Sequence, residues 1–190
     1  MNSDLDIEIV LSVANLKKTR INDPLPELDS IQFTPYSTHP LENEFLKIYL
    51  LKNAYDEINT FSKGDLLHER GGVLVGSVNE DQHSLVIKGG IPALEAEGTS
   101  VSLKFTHQSW NYIHAMKEKH FPTERIVGWF HTHPQMGIFL SGHDIFIQKN
   151  FFNIEWQVAY VLDPVNEDQG FFYWSEAHQI TRSKGFYLEK

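Results

Sequence analysis

Two histidines at alternate positions, His131 and His133, stand inside the stretch GWFHTHPQMGIFLSGHD that runs from Gly128 to Asp144. Alternate residues of an extended strand point to one face, with Cα atoms about 7 Å apart, so the two imidazoles can aim at a common point. Asp144 offers a carboxylate toward the same point. Two imidazoles and a carboxylate leave one corner of a tetrahedron open, which is the donor set of a catalytic zinc site. The same donors form the facial triad of non-haem iron enzymes. The zinc case reads as a hydrolase, with a base and a substrate still to be supplied by the rest of the chain.

The elements that must position these groups are legible around them. Ile126 to His133 reads as a strand that puts Val127, Trp129, His131 and His133 on one face. Pro134, which lacks an N–H, suits the end of that strand. Ser141 to Phe152 reads as a helix. Ser141 and Asp144, three residues apart, have the spacing of a capping box, in which each side chain accepts from the other residue's backbone N–H. A helix starting at Ser141 also returns a first-turn carboxylate toward the strand end, so both uses of Asp144 stay open.

Farther out, Lys47 to Leu50 suits a short strand. Leu51, Ala54, Tyr55, Ile58 and Phe61 follow helical spacing that ends near Gly64. Strands are expected at Val73 to Val78, Leu85 to Ile91 and Val101 to Phe105. Thr106 would cap a helix showing Trp110, Ile113 and Met116 on one face. Trp156 to Leu162 and Gly170 to Trp174 read as strands. The mixed order predicts an α/β fold, a sheet with helices packed against it. Residues 1–42 differ: Asp4 to Val13 alternates like one strand, and Pro24, Pro26, Pro35 and Pro40 follow with little periodicity. The expected organisation is an N-terminal extension or arm over 1–42 and one domain over 43–190.

Composition narrows the chemistry. The chain of 190 residues is 41% apolar and 13% aromatic, enough to bury a core. It holds no cysteine, so disulfides and thiolate ligands are excluded and a metal must sit on His, Asp or Glu. A net charge of −9, with 16 scattered basic residues, argues against a basic face for nucleic acid. No apolar run is long enough to cross a bilayer. The acidic start MNSDLDIEIV lacks a secretory signal pattern, which points to a cytoplasmic location. The other histidines show no second cluster at ligand spacing, and His107 and His114, seven apart, suit a helix surface.

The full pattern, His-x-His-Pro, six residues, then Ser-x-x-Asp, resembles the signature of the JAMM metalloproteases, also called catalytic MPN domains. HERGGVLVG, from His68 to Gly76, is similar to that family's Glu-x-x-Gly-x-Leu-x-Gly segment. The resemblance covers about residues 45–176. It implies an MPN-type, cytidine-deaminase-like fold, a mixed curved β-sheet flanked by helices. It also implies one zinc ion per chain on His131, His133 and Asp144, Glu69 as general base, and Ser141 as the residue that steadies the oxyanion. Without the resemblance, Glu69 is an ordinary glutamate before a Gly-Gly turn.

The implied substrate is a peptide or isopeptide bond after the Gly-Gly tail of ubiquitin or a ubiquitin-like protein. Gly89 to Ser100 falls where family members carry an insertion that pairs with such a tail, which would make Gly89 and Gly90 contacts. A plain loop between strands is the other reading. Met136, Ile138, Phe139 and Leu140 lie between the ligands, and either touch the tail or are buried under the sheet. Asp163 to Gly170 is short where larger relatives carry a second insertion, and the lack of cysteine excludes their extra zinc. A compact, deubiquitinase-like member is implied, resembling stand-alone prokaryotic ones. An activating partner or a homodimer fits the same family, as does a silent MPN scaffold. A nucleobase deaminase needs a Pro-Cys-x-x-Cys element that this chain lacks.

Overall fold

The computed structural model describes residues 20–37, 39–94, 97–98 and 103–190. A short helix α1 (Glu27–Ser30) and strand β1 (Phe33–Tyr36) precede β2 (Lys47–Leu50) and helix α2 (Lys52–Ser62). The long strands β3 (Gly71–Asn79) and β4 (Ser84–Pro92) follow, then a two-stranded ribbon of β5 (Glu97–Gly98) and β6 (Leu103–Lys104). Helix α3 (His107–His120) leads to β7 (Arg125–Thr132) and helix α4 (Gly142–Phe151). Strands β8 (Val158–Asp163), β9 (Asp168–Trp174), β10 (Ile180–Arg182) and β11 (Phe186–Glu189) close the chain.

Nine strands make one mixed sheet in the order β1-β11-β2-β4-β3-β7-β8-β9-β10. The pairs β11–β2, β2–β4 and β7–β8 are parallel and the rest antiparallel. The chain therefore has the mixed, helix-flanked sheet expected of it. One face carries a core of Ile48, Leu74, Leu85, Ile87, Phe130 and Tyr160 that buries Ala54 and Ile58 of α2. The other face carries Val73, Val75, Trp129, Ala159 and Val161, covered by Ile113 of α3 and Ile147 of α4. Sequestering apolar area on both faces is the main favourable contribution to such a fold. Thr106 caps α3 by accepting from the Ser109 N–H at 3.1 Å, and Trp110 and Met116 pack beside Ile113, as the spacing predicts.

Three features depart from the reading of the sequence or were absent from it. Val127 does not share a face with Trp129 and His131. Between Leu74 and Val75 the β3–β7 register jumps from Gly128 to Ile126, so Val127 is the extra residue of a bulge and turns into the opposite core beside Phe130. The bulge brings the backbones so close that a Cβ on Gly128 would lie 2.1 Å from the Val158 carbonyl oxygen. Second, the proline-rich segment supplies a strand: β1, with Pro35 inside it, pairs β11 at the sheet's edge, where a missing N–H is tolerated. Third, β10 and β11 have 3 and 4 residues, too few for a period to show. Asp4 to Val13, and the first two residues of the strand expected at Val101 to Phe105, lie outside the described residues.

Candidate metal centre

The site forms where β7 ends and α4 begins. His131 lies on β7 opposite Gly71, the first residue of β3. His133 is one residue past the strand and continues the ladder, its N–H donating to the Leu162 carbonyl at 2.8 Å. Both rings are buried, and their Nε2 atoms stand 3.1 Å apart. Asp144 reaches them from the first turn of α4, with Oδ1 at 3.4 Å from His131 Nε2 and Oδ2 at 3.4 Å from His133 Nε2. The three residues offer donor atoms that all lie within 4.8 Å of one another, and no other such group occurs among the described residues.

Asp144 serves two purposes. Ser141 is the N-cap of α4: its N–H donates to Asp144 Oδ2 at 2.7 Å, and its Oγ accepts from the Asp144 N–H at 3.2 Å. The capping box is thus present, and the same carboxylate faces both imidazoles. The readings left open by the sequence are compatible.

Glu69 arrives by the antiparallel ladder. Two residues back from Gly71 and two forward from His131 meet across the pair, which puts Glu69 opposite His133. The extension is held by two bonds: Arg70 N–H to Thr132 Oγ1 at 2.9 Å and Thr132 N–H to the Arg70 carbonyl at 2.8 Å. Arg70 is itself fixed, donating to the Phe61 carbonyl at 2.6 Å with its guanidinium over the Phe61 ring. Glu69 Oε1 ends 3.6 Å from His133 Nε2, while its Oε2 is buried with no hydrogen-bond partner.

Electrostatics separate these groups. Burial drives the Glu69 carboxyl up to about 7; His133 opposes the rise and the Asp144 charge adds to it. Burial also works to raise Asp144, but the contacts of His131, His133 and Ser141 outweigh it and hold this carboxyl well below the usual range. Burial lowers His131, which favours the neutral, ligating form of its imidazole. Two imidazoles and an ionised carboxylate form a donor set that suits a divalent cation, with the Glu69 carboxylate beside His133.

The loop from Pro134 to Leu140 divides. Ile138 and Leu140 pack against the core under the sheet, whereas Met136 and Phe139 are exposed, 37% and 43%. Phe139 lies over His133, ring centroids 4.6 Å apart. The fold does not bring Gly89 and Gly90 to the site. They pair with Val75 and Leu74 in mid-strand, where a Cβ would fall 2.3 Å from Phe121 and 2.6 Å from Ile58. Their smallness lets elements pack against both faces of β4.

Two contributors had escaped notice. Asp163, at the end of β8, accepts from the N–H groups of Gln135, Gly137, Val165 and Asn166 and so ties the loop to the sheet. Burial opposes its charge, but these donors hold its carboxyl down at about 2. An aspartate just before Pro164, at the close of an apolar strand, was the available signal. Gln148 is buried on α4 and accepts from Trp129 Nε1 at 2.7 Å. Its position, one helical turn after Asp144 on the same face, was the signal there.

Comparison with known proteins agrees with this geometry. Residues 45–155 match the family model described as JAB1/Mov34/MPN/PAD-1 ubiquitin protease. The 26S proteasome non-ATPase regulatory subunit 14 of Drosophila melanogaster is 28% identical over 142 residues, 73% of this chain and 45% of that protein. The COP9 signalosome complex subunit 5 of the same organism is 36% identical over 141 residues, 71% of this chain and 41% of that protein. The chain thus spans less than half the length of these two relatives. The solution structure of protein DSY2949 from Desulfitobacterium hafniense has the same fold, with a TM-score of 0.51 at 17% identity over 71% of this chain and 88% of that one. The chain belongs to the JAB1/Mov34/MPN/PAD-1 family.

Proposed function

From membership of that family, we propose that the chain is a zinc-dependent peptidase or isopeptidase. Its substrate would be a bond after the Gly-Gly tail of ubiquitin or a ubiquitin-like protein. The observation that carries the reading is the buried meeting of His131, His133 and Asp144 with Glu69 at its edge. His131 Nε2, His133 Nε2 and one Asp144 oxygen would hold a single zinc ion. Bound there, zinc would supply an activated water and polarise the scissile carbonyl.

Glu69 would accept the proton of the attacking water on its carboxylate, whose Oε2 has no hydrogen-bond partner, and pass it to the leaving amine. A carboxyl near 7 is suited to both halves of that transfer. Ser141 accepts the Asp144 N–H through its oxygen, so its own proton is left to donate toward a developing oxyanion. Met136 and Phe139 offer apolar contact to an approaching tail, and Phe139 shields the His133 side from water. Among the described residues no helix is long and apolar enough to cross a membrane. The relatives are subunits of the 26S proteasome and the COP9 signalosome by name, which supports a role beside partner proteins that handle ubiquitin-like substrates. A cytoplasmic site of action fits that role.

The test is cleavage of a ubiquitin-like protein fused through Gly-Gly to a reporter, with metal content measured on protein purified without added metal. Stoichiometric zinc, cleavage stopped by chelator and activity restored by zinc are expected. A protein that binds zinc yet leaves every such fusion intact would make it a scaffold instead, and stoichiometric iron would redirect the chemistry.

A further inference from the structure

Histidines that bind metals are ordinarily aimed by a hydrogen bond from the second ring nitrogen to a carboxylate or carbonyl. Here Nδ1 of His131 and Nδ1 of His133 are buried and meet no hydrogen-bond partner among the described residues. His131 is oriented by a flat neighbour. The Trp129 ring lies 4.3 Å from it, centroid to centroid, and within 10° of parallel, and both side chains are fully buried.

Trp129 is locked in its turn. Its indole N–H donates to Gln148 Oε1 at 2.7 Å, and Gln148 Nε2 donates to the carbonyls of Phe152 and Gln157, both at 3.0 Å. Both polar atoms of this buried amide are used, Oε1 on Trp129 of β7 and Nε2 on the end of α4 and the turn that follows it. Phe152 adds a near-parallel ring 5.9 Å from Trp129. Helix α4 therefore reaches two of the three donors: Asp144 by direct presentation, and His131 through Gln148 and Trp129.

We propose that Trp129 is a positioning residue that sets metal affinity by holding the His131 ring through aromatic stacking, in place of the usual hydrogen bond to Nδ1, and that Gln148 serves only to fix the indole. The inference rests on the metal site proposed above. It makes the flat face of residue 129 the requirement, with the Trp129–Gln148 bond serving to keep that face in register. Removing the Trp129 N–H alone would leave Gln148 Oε1 unsatisfied, so both test variants carry Gln148→Met, and both lose the bonds from Gln148 Nε2 to the Phe152 and Gln157 carbonyls to the same extent. The stability cost of Gln148→Met is therefore common to the two double variants, and the difference between them reads orientation.

The experiment compares wild type, Trp129→Phe/Gln148→Met and Trp129→Leu/Gln148→Met in full-length protein. Zinc affinity is read by competition with a chromophoric chelator, the Co(II) d–d spectrum reports ligand geometry, and thermal melting checks folding. In metal-free protein the His131 ring protons are followed by NMR, since a stacked indole shifts them upfield. The phenylalanine variant should keep affinity within a few-fold of wild type, and the leucine variant should lose about 10–100-fold, the range seen when an orienting partner is removed. The upfield shift should shrink in the same order. Equal affinity and identical Co(II) spectra in the folded leucine variant would overturn the proposal while leaving the metal site intact. Failure of the wild type to bind zinc would remove the metal site itself, and this proposal with it.

Discussion

Two buried carboxylates flank His133, one from the turn before β3 and one from the first turn of α4, and their surroundings push them in opposite directions. Glu69 has one imidazole at 3.6 Å and an unpartnered oxygen, so burial dominates, the Asp144 charge adds to it, and its carboxyl rises to about 7. Asp144 meets two imidazoles and a backbone N–H, so it stays ionised. Two carboxyls with separated affinities for protons are how one site divides labour between a fixed charge and a proton carrier. The difference comes from donors around the oxygens, since both groups are almost wholly inaccessible.

The comparison breaks most visibly at the α4 side. Asp144→Ala or His131→Ala should abolish stoichiometric zinc binding, read by elemental analysis, and the aspartate change should also cost about 1 kcal/mol of stability through the lost cap. Full zinc content in either variant would remove the ligand role. On the β3 side, Glu69→Gln should keep its zinc while kcat falls about 10²–10⁴-fold. Undiminished turnover would show that the proton travels elsewhere.

A subtler effect concerns metal-free protein. Because the folded pKa of Glu69 lies above the unfolded value of 4.5, the unfolded chain ionises first as pH rises. Folded-state stability contributed by the neutral carboxyl is complete below about pH 4.5 and is lost as pH climbs through 7. Glu69→Gln should therefore raise the Tm of metal-free protein at pH 8 and leave it nearly unchanged at pH 4.5. A constant difference across that range would contradict the raised pKa. Asp163 sharpens the contrast as a third carboxylate, ringed by N–H donors. Its low folded pKa means its stabilisation is present above about 4 and is lost as pH falls toward 2. Asp163→Asn should loosen the loop carrying Phe139 and raise KM several-fold with zinc affinity unchanged, which steady-state kinetics would read.

Much of this was legible because it is local. His131, His133, Ser141 and Asp144 lie within 14 residues, and strand and helix periods alone bring them together. Glu69 lies 62 residues before His131, and its place depends on a β3–β7 register that the single sequence does not contain. The family pattern carried that information instead. Val127 was misplaced because a bulge shifts the period by one residue without any change in composition. Gly89 and Gly90 looked like a substrate groove, since a glycine needed for packing and one needed for a ligand read alike in sequence. Gln148 and Asp163 went unseen because a polar residue on a helix or at a strand's end is usually solvated, and only tertiary contacts show where their bonds go.

The sharing of the Asp144 carboxylate between the α4 cap and the imidazoles couples loading of the ion to local order. Whatever draws that side chain toward a cation also sets the geometry of the Ser141 and Asp144 amides, and any fraying of the helix start must weaken cation capture by the same free energy. Hydrogen exchange at the first turn of α4 should then slow on zinc addition, while exchange in the distant β1–β11 pair stays unchanged. The ion would act as a staple on the turn that presents its own ligand.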